Sequence, residues 1–228
     1  MPGAVIVGAG PGIGRAVARR FAGEGLPVAL VARSRTTVQT VAEAVAEVAP
    51  GGVRVVTATA DVTDEDALRA ALDQAARELG PPDVAVYNAA VIRPDTTDDL
   101  SARDLLNAYA VNVVGAHTTA AHLLPAMAER GGGSFLITGG MPDPKPEYLS
   151  LSLGKAAVRT LVTLLDQRYG PSGVHAASIT VDGPVAPGTA FDPDDIAEHY
   201  WRLHTQPPGH WDHEILHSGD AGAPGERR

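Results

Sequence analysis

The stretch AVIVGAGPGIGRA, Ala4 to Ala16, decides the fold. Its first residues, Ala4 to Gly8, form a short apolar run without polar alternation, the pattern of a strand buried on both faces. Its last residues open a helical pattern, IGRAVARRFAGEG, with apolar side chains at spacings of three and four. Glycines fill the junction. Gly8 allows a tight turn out of the strand, Gly12 lets backbone approach a pyrophosphate, and Gly14 permits close packing of helix on sheet. Free N–H groups and the helix dipole at this helix start, around Ile13, favour an anion. A glycine run with one strand in and one helix out predicts a dinucleotide site.

The same alternation continues outward. PVALVA (27–32), VRVVTATA (53–60), DVAVYN (83–88), SFLITG (134–139) and VHAASITV (174–181) read as strands buried on both faces. Between them lie helical patterns at 36–49, 64–80, a long one near 99–129, and SLGKAAVRTLVTLLDQRYG at 152–170. HEILH (213–217) reads as a last strand. The expectation is an α/β chain, one domain over residues 1–228: a Rossmann-type doubly wound parallel sheet of about seven strands with helices on both faces. Composition changes near Asp182, after which five of the eight His and both Trp occur. Residues 183–228 therefore read as a remodelled C-terminal segment closing the same domain. Within it, Asp192–Asp195 are expected to cap a helix, and Tyr200, Trp201 and Trp211 to pack it against the sheet or a neighbouring subunit.

Composition narrows the function classes. A chain of 228 residues with net charge −9 suits a single globule and lacks the basic surface that nucleic acid or an anionic membrane would want. No apolar run approaches the roughly 18–20 residues of a membrane span. The first residues carry no charged leader before the strand, so a cytoplasmic location is expected. Cysteine is absent, which excludes disulfides and thiolate chemistry. No metal site is expected, because His199 and His204 are five residues apart and fall on different faces of a helix.

The end of the second strand bears on the choice of cofactor. Nicotinamide sites that take a free 2′-hydroxyl place a carboxylate there, and those that take a 2′-phosphate place Arg. Here the residues are Ala32, Arg33, Ser34 and Arg35, with no acid nearby. A guanidinium matches a phosphate in charge and in bidentate geometry, so NADP(H) is expected rather than NAD(H). The alternative is that Arg33 and Arg35 are the solvated start of the next helix.

Taken with motifs further along, these residues resemble the short-chain dehydrogenase/reductase family over nearly the whole chain. GAGPGIG is similar to its glycine motif, with Val7 where Thr is usual. ADVTD resembles the loop in which Asp61 approaches the adenine and Val62 packs beside it. YNAAV is similar to its Asn-Ala-Gly strand end, keeping Asn88 and Ala89 with Ala90 for Gly. AVNVVGA places Asn112 where the family's catalytic Asn sits, and GKAAV supplies Lys155. The resemblance implies a Ser–Tyr–Lys–Asn site, and two of the four are missing. Leu151 stands four residues before Lys155, where the Tyr belongs, and Gly139 and Gly140 stand where the Ser pair belongs, Gly140 in the catalytic Ser position. The loop between them, MPDPKPE, is about two residues shorter than usual. The Pro-Gly expected after the sixth strand is displaced, with Gly183–Pro184 first and Pro187–Gly188 later.

In the family the Tyr hydroxyl exchanges the proton, the Lys cation lowers its pKa and holds the ribose, and the Ser orients the carbonyl. Leu has no proton to exchange, and such assistance is typically worth about 10²–10⁴-fold. The expected catalytic set is thus Asn112 and Lys155, with Tyr148 as a substitute acid if it lies on one helix face with 151 and 155. The alternative for Tyr148 is packing in a loop, given Pro144 and Pro146. Three functions stay open: an NADP(H)-dependent oxidoreductase with a non-standard proton donor, acting on an unidentified small molecule; a non-catalytic NADP(H)-binding pseudo-enzyme or partner subunit; and non-redox chemistry in the same cleft. The resemblance also implies a homodimer or homotetramer through the fourth and fifth helices.

Overall fold

The computed structural model describes residues 3–219. The strands are β1 Ala4–Val7, β2 Val28–Ala32, β3 Val55–Thr59, β4 Val84–Tyr87, β5 Gly133–Thr138, β6 Val174–Val181 and β7 Glu214–His217. They form one seven-stranded sheet in the order β3-β2-β1-β4-β5-β6-β7. Every pairing is parallel. The helices are α1 Ile13–Gly23, α2 Arg35–Ala46, α3 Glu65–Leu79, α4 Ala102–Tyr109, α5 Gly115–Glu129, α6 Leu149–Tyr169 and α7 Pro193–His204. None is long and apolar enough to cross a membrane.

Alternate residues of each central strand feed two cores. Val5 and Val7 join Leu68, Leu72, Leu124 and Val158 on the face covered by α3, α5 and α6. Ala4 and Ile6 join Val17, Phe21, Val41 and Tyr200 on the face covered by α1, α2 and α7. Double burial is why these strands read as continuous apolar runs. At one sheet edge the expectation of burial on both faces fails: β3 alternates between buried and exposed positions, while β7 at the other edge, expected only as a last strand, has one face exposed and the other partly covered. Only an inner strand has helices over both faces and a neighbour on each side.

Helix starts follow local chemistry. Ser34, Asp64, Ser101 and Asp192 each accept a backbone N–H at the head of α2, α3, α4 and α7. Pro193 takes the first position of α7, where its missing donor costs nothing. In the C-terminal part of the chain α7 lies over the sheet, Tyr200 is fully buried in the core, and Trp201 meets Phe21 edge-on at 5.5 Å. Residues 220–228 of that segment lie outside the described residues.

The long helix expected near 99–129 is α4 and α5 joined by a π-helical turn, Ala110–Val114. That turn carries Asn112. It is pinned from the sheet by the Tyr87 hydroxyl, which donates to the Val111 carbonyl. Gly115 lies directly beneath the same ring. A Cβ on Gly115 would stand 2.2 Å from the Tyr87 hydroxyl oxygen and 3.1 Å from Val62 Cβ. Gly115→Ala is therefore expected to destabilise the protein by about 1–3 kcal/mol through overpacking. Tyr87→Phe in the same chain should recover part of that loss, because it removes the nearest atom. Urea unfolding of the single and double variants checks both.

Candidate active site

The strand order reverses between β1 and β4, the switch point at which an open parallel sheet leaves a crevice above its C-terminal strand ends. Gly8 leaves β1 with φ +88, and a Cβ there would meet Ala89 N at 2.3 Å. A Cβ on Gly14 would meet Gly8 O at 2.3 Å. The two glycines let the turn, the helix and the end of β4 close on one another. Asn88 then ties them, its Nδ2 donating to Gly8 O at 2.8 Å. A Cβ on Gly12, by contrast, would meet nothing within 4 Å. Gly8, Gly14, Asn88 and Ala89 shape the turn, while Gly12 faces open space of the kind a phosphate needs.

Two cavities meet at this point, sharing Gly10, Asn88 and Ala90 in their walls. One, of about 370 Å³, runs over Gly8, Arg33, Ser34, Thr37, Val62 and Ala89. Arg33 is exposed there, and among the described residues no carboxylate lies within ion-pair distance of it. Arg35, the first residue of α2, is not in this wall. Val62 is in it, but Asp61 faces an adjoining hollow with Thr63 and Arg93. The Thr63 amide and hydroxyl bond the Asp61 carboxylate at 2.9 and 2.8 Å. Those bonds, the amide first, hold it below the usual carboxylate range. These walls fit an adenosine with a 2′-phosphate: an apolar slot, an unpaired guanidinium at its end, and glycine backbone where the pyrophosphate would pass.

The second cavity, of about 340 Å³, has a different wall. Ile13, Ala90, Ile92, Met141, Leu151, Val181 and Val185 make it apolar, with Gly139, Gly140 and Gly183 along one side. Leu151 is buried and lines this cavity. Gly140 adopts φ +155, and a Cβ there would lie 3.5 Å from Val181 O and 3.7 Å from Lys155 Cε. Met141 holds a left-handed φ of 49°, a conformation that non-glycine residues adopt only where the surroundings enforce it. Gly183, which begins the displaced loop, is flat against Phe191: a Cβ would come within 2.2 Å of that ring. A side chain at 183 would force Phe191 out and change this wall.

Lys155 is the one ionisable side chain in the wall, 7% exposed, and Nζ donates to Thr138 O at 2.6 Å. Burial pushes its ammonium down to about 8. Asn112, also buried, holds the loop after β4 by both backbone groups of Val91. Its Oδ1 accepts from Val91 N at 2.7 Å and its Nδ2 donates to Val91 O at 3.4 Å. α6 packs against it at Gly154, where a Cβ would lie 3.0 Å from Asn112 Cβ.

Tyr148 is not on a helix face with Leu151 and Lys155. It is the residue before α6, with φ −136 and ψ 52, and it is absent from the wall of the cavity. Ser150 Oγ and N bond the buried Asp95. Ser152 bonds the backbone of Lys145. Each of these hydroxyls is engaged away from the cleft.

Tyr200 and Thr138 form a link that the residue pattern does not reveal. Thr138 Oγ1 lies 2.8 Å from Asn88 Oδ1 and 2.6 Å from the Tyr200 hydroxyl. Asn88 already donates through Nδ2, so Oδ1 is the acceptor, Thr138 donates to it, and Tyr200 donates to Thr138. The chain runs from α7 through β5 to Gly8, and it commits the only hydroxyl proton in the cavity wall. Among the described residues no group of three or more His, Cys, Asp and Glu is placed to hold a metal. His199 and His217 bond each other at 2.9 Å.

Residues 3–190 match the family profile described as short chain dehydrogenase. Glucose 1-dehydrogenase of Gluconobacter oxydans (strain 621H) is 32% identical over 196 residues, 85% of this chain and 71% of that one. An uncharacterized oxidoreductase of Staphylococcus aureus (strain N315) is 29% identical over 215 residues, 90% of this chain and 91% of that one. Among solved structures, an alcohol dehydrogenase from the archaeon Thermococcus sibiricus, complexed with 5-hydroxy-NADP, superposes with a TM-score of 0.86 at 25% identity, covering 99% of this chain and all of that one. A metagenomic short-chain oxidoreductase in complex with NADP superposes with a TM-score of 0.82 at 25% identity, covering 94% and 96%.

The depressed Lys155 ammonium has a measurable consequence. Its folded value of about 8 lies below the ordinary 10.5. Well below pH 8 the amine is protonated in both states, so the cost of the buried charge is present in full. Between about pH 8 and 10.5 the folded protein releases a proton that the unfolded chain keeps, so stability rises with pH, by up to about 1.4 kcal/mol per unit. The melting temperature of the native chain should therefore climb relative to Lys155→Met between pH 8 and 9.5. Parallel pH profiles for the two proteins would show that the amine is not desolvated.

Proposed function

Since the chain belongs to the short-chain dehydrogenase family, we propose that it is an NADP(H)-binding oxidoreductase whose proton-donating groups have been replaced, with Leu151 for the Tyr and Gly140 for the Ser. The observation that carries this reading is the asymmetry of the crevice. Its adenosine end offers Arg33, Ser34 and glycine backbone to a 2′-phosphorylated nucleotide, while its other end sets Lys155, Thr138 and Asn88 in an otherwise apolar wall. NADP(H), when bound, supplies the hydride chemistry. The chain's own residues do the rest: Gly8 to Gly14 offer backbone to the pyrophosphate, Arg33 and Ser34 offer donors to the 2′-phosphate, and Lys155 offers Nζ to the ribose. Two similar structures hold nucleotides of this type, which favours the same choice here.

A titration of intrinsic fluorescence with NADPH and, separately, NADH tests the cofactor assignment. NADPH should bind at least about tenfold more tightly, and Arg33→Ala should remove most of that margin, as the loss of a charge-assisted phosphate contact requires. Equal affinity for the two nucleotides in the native chain would overturn it.

The proton is the weak point of the reaction. Thr138 has committed its own to Asn88 and Tyr148 lies outside the cleft wall. A carbonyl would then be reduced poorly, and acceptors that need little proton assistance, such as activated double bonds, suit the site better. The same observation favours a second reading, a pseudo-enzyme that holds NADP(H) without turnover. Leu151→Tyr separates them from a folding artefact. Restoring a phenol beside Lys155 should raise NADPH-dependent reduction of a carbonyl panel by about 10²–10⁴-fold over the native chain. Equal rates would mean that the proton donor is not what limits the native site.

A further inference from the structure

We propose that Lys155 is a nucleophilic amine, and that the cleft captures an uncharged, apolar aldehyde or ketone as a reversible imine on its Nζ. This goes beyond the nucleotide reading and does not require it.

Four features of the cleft carry the inference. First, Lys155 is buried, and among the described residues no carboxylate stands within ion-pair distance of Nζ; its one bond is to the Thr138 carbonyl. A buried amine with a carbonyl acceptor and no counter-ion is least costly when neutral. The neutral form still donates one N–H to Thr138 O and leaves a lone pair free. Second, the two side chains that would flank the amine in the family are gone. Gly140 leaves open a position whose Cβ would lie 3.7 Å from Lys155 Cε, and Leu151, one turn earlier on α6, adds an apolar wall without a hydroxyl. Third, the Thr138 hydroxyl donates to Asn88, so it does not tie up the lone pair. Fourth, the rest of the wall is Ile13, Ala90, Ile92, Val181 and Val185 around a cavity of about 340 Å³, which suits a small apolar body with one carbonyl and rejects a charged one. Burial brings the amine to about 8, so a substantial fraction is neutral near that pH, where an exposed lysine is almost wholly charged.

The step balances without an oxidant or reductant. Nζ adds to the carbonyl carbon and forms the C–N bond. The carbonyl oxygen takes up the two amine protons and leaves as water, with the C=N bond in its place. Hydrolysis reverses it.

The sequence makes the test clean, because Lys145 and Lys155 are the only two lysines. Lys145 is exposed and serves as an internal reference. The full-length protein, without nucleotide, is treated with hexanal and sodium cyanoborohydride between pH 6.5 and 9.5, and adducts are quantified by peptide mass mapping. Lys155 should be alkylated about tenfold faster than Lys145 at pH 7.5, with a rate that levels off above pH 8. Lys155→Arg, checked for folding by circular dichroism, should lose the fast adduct and keep the slow one. An excess of cyclopentanone added with hexanal should lower the hexanal adduct on Lys155 and leave its own adduct of different mass, whereas the same excess of acetate should not. Alkylation of Lys155 no faster than that of Lys145 would overturn the proposal. Because no nucleotide is present, failure of NADPH to bind in the separate titration leaves this outcome untouched.

Discussion

The structure depends on one close approach, that of the first turn to the end of β4. Gly8 has no room for a side chain against Ala89, Gly14 has none against Gly8, and Asn88 bonds the Gly8 carbonyl across the gap. This contact closes the floor of the crevice between β1 and β4, and it aims the start of α1 at the space above. A single methyl at either glycine would drive backbone against backbone, and backbone has nowhere to retreat inside a doubly covered sheet. Both cavities have Asn88 in their wall because they lie on either side of this junction.

The hydrogen-bonded chain from Tyr200 through Thr138 and Asn88 extends that junction to the far side of the sheet. Tyr200 is fully buried, and burial pushes its phenol well above its ordinary value, so it acts as a fixed donor and not as an acid. The remodelled C-terminal segment is thereby coupled to the nucleotide-side turn through three side chains. Phe191, lying on Gly183, couples it to the cavity wall as well. Gly140 and Leu151 sit in a cleft whose frame is held by these bonds, and neither side chain offers it a proton.

Lys155 is where electrostatics and chemistry meet. In a site with a phenol and a bound nucleotide, a lysine cation has partners that repay its burial. Here it has a carbonyl and a wall of aliphatic carbon, and desolvation favours the neutral amine. The same burial that makes the residue a poor cation makes it a better nucleophile. The flanking positions 140 and 151 are glycine and leucine, which offer the amine neither a hydroxyl nor a charge.

Much of this was legible from residues alone. The strand–helix alternation follows from double burial, which writes itself into a chain as apolar runs of period-free character between amphipathic helices, and the glycine run at 8–14 has few other uses in that context. The caps at Ser34, Asp64 and Asp192 are local chemistry and were equally open to reading. The losses at 140 and 151 were visible because each is a property of one position. What the sequence by itself could not decide was direction and partnership in space. The edge strands β3 and β7 are exposed on one face because no element covers it, the Tyr87 hydroxyl bonds Val111 within the π turn at Ala110–Val114, and Tyr148 takes the loop alternative, just before α6. Tyr200 meets Thr138 across 62 residues, and no local pattern encodes such a distance. The sequence determined which groups this protein possesses; the tertiary structure decided which of them face one another, because hydrogen bonds and desolvation act on neighbours in space and not along the chain.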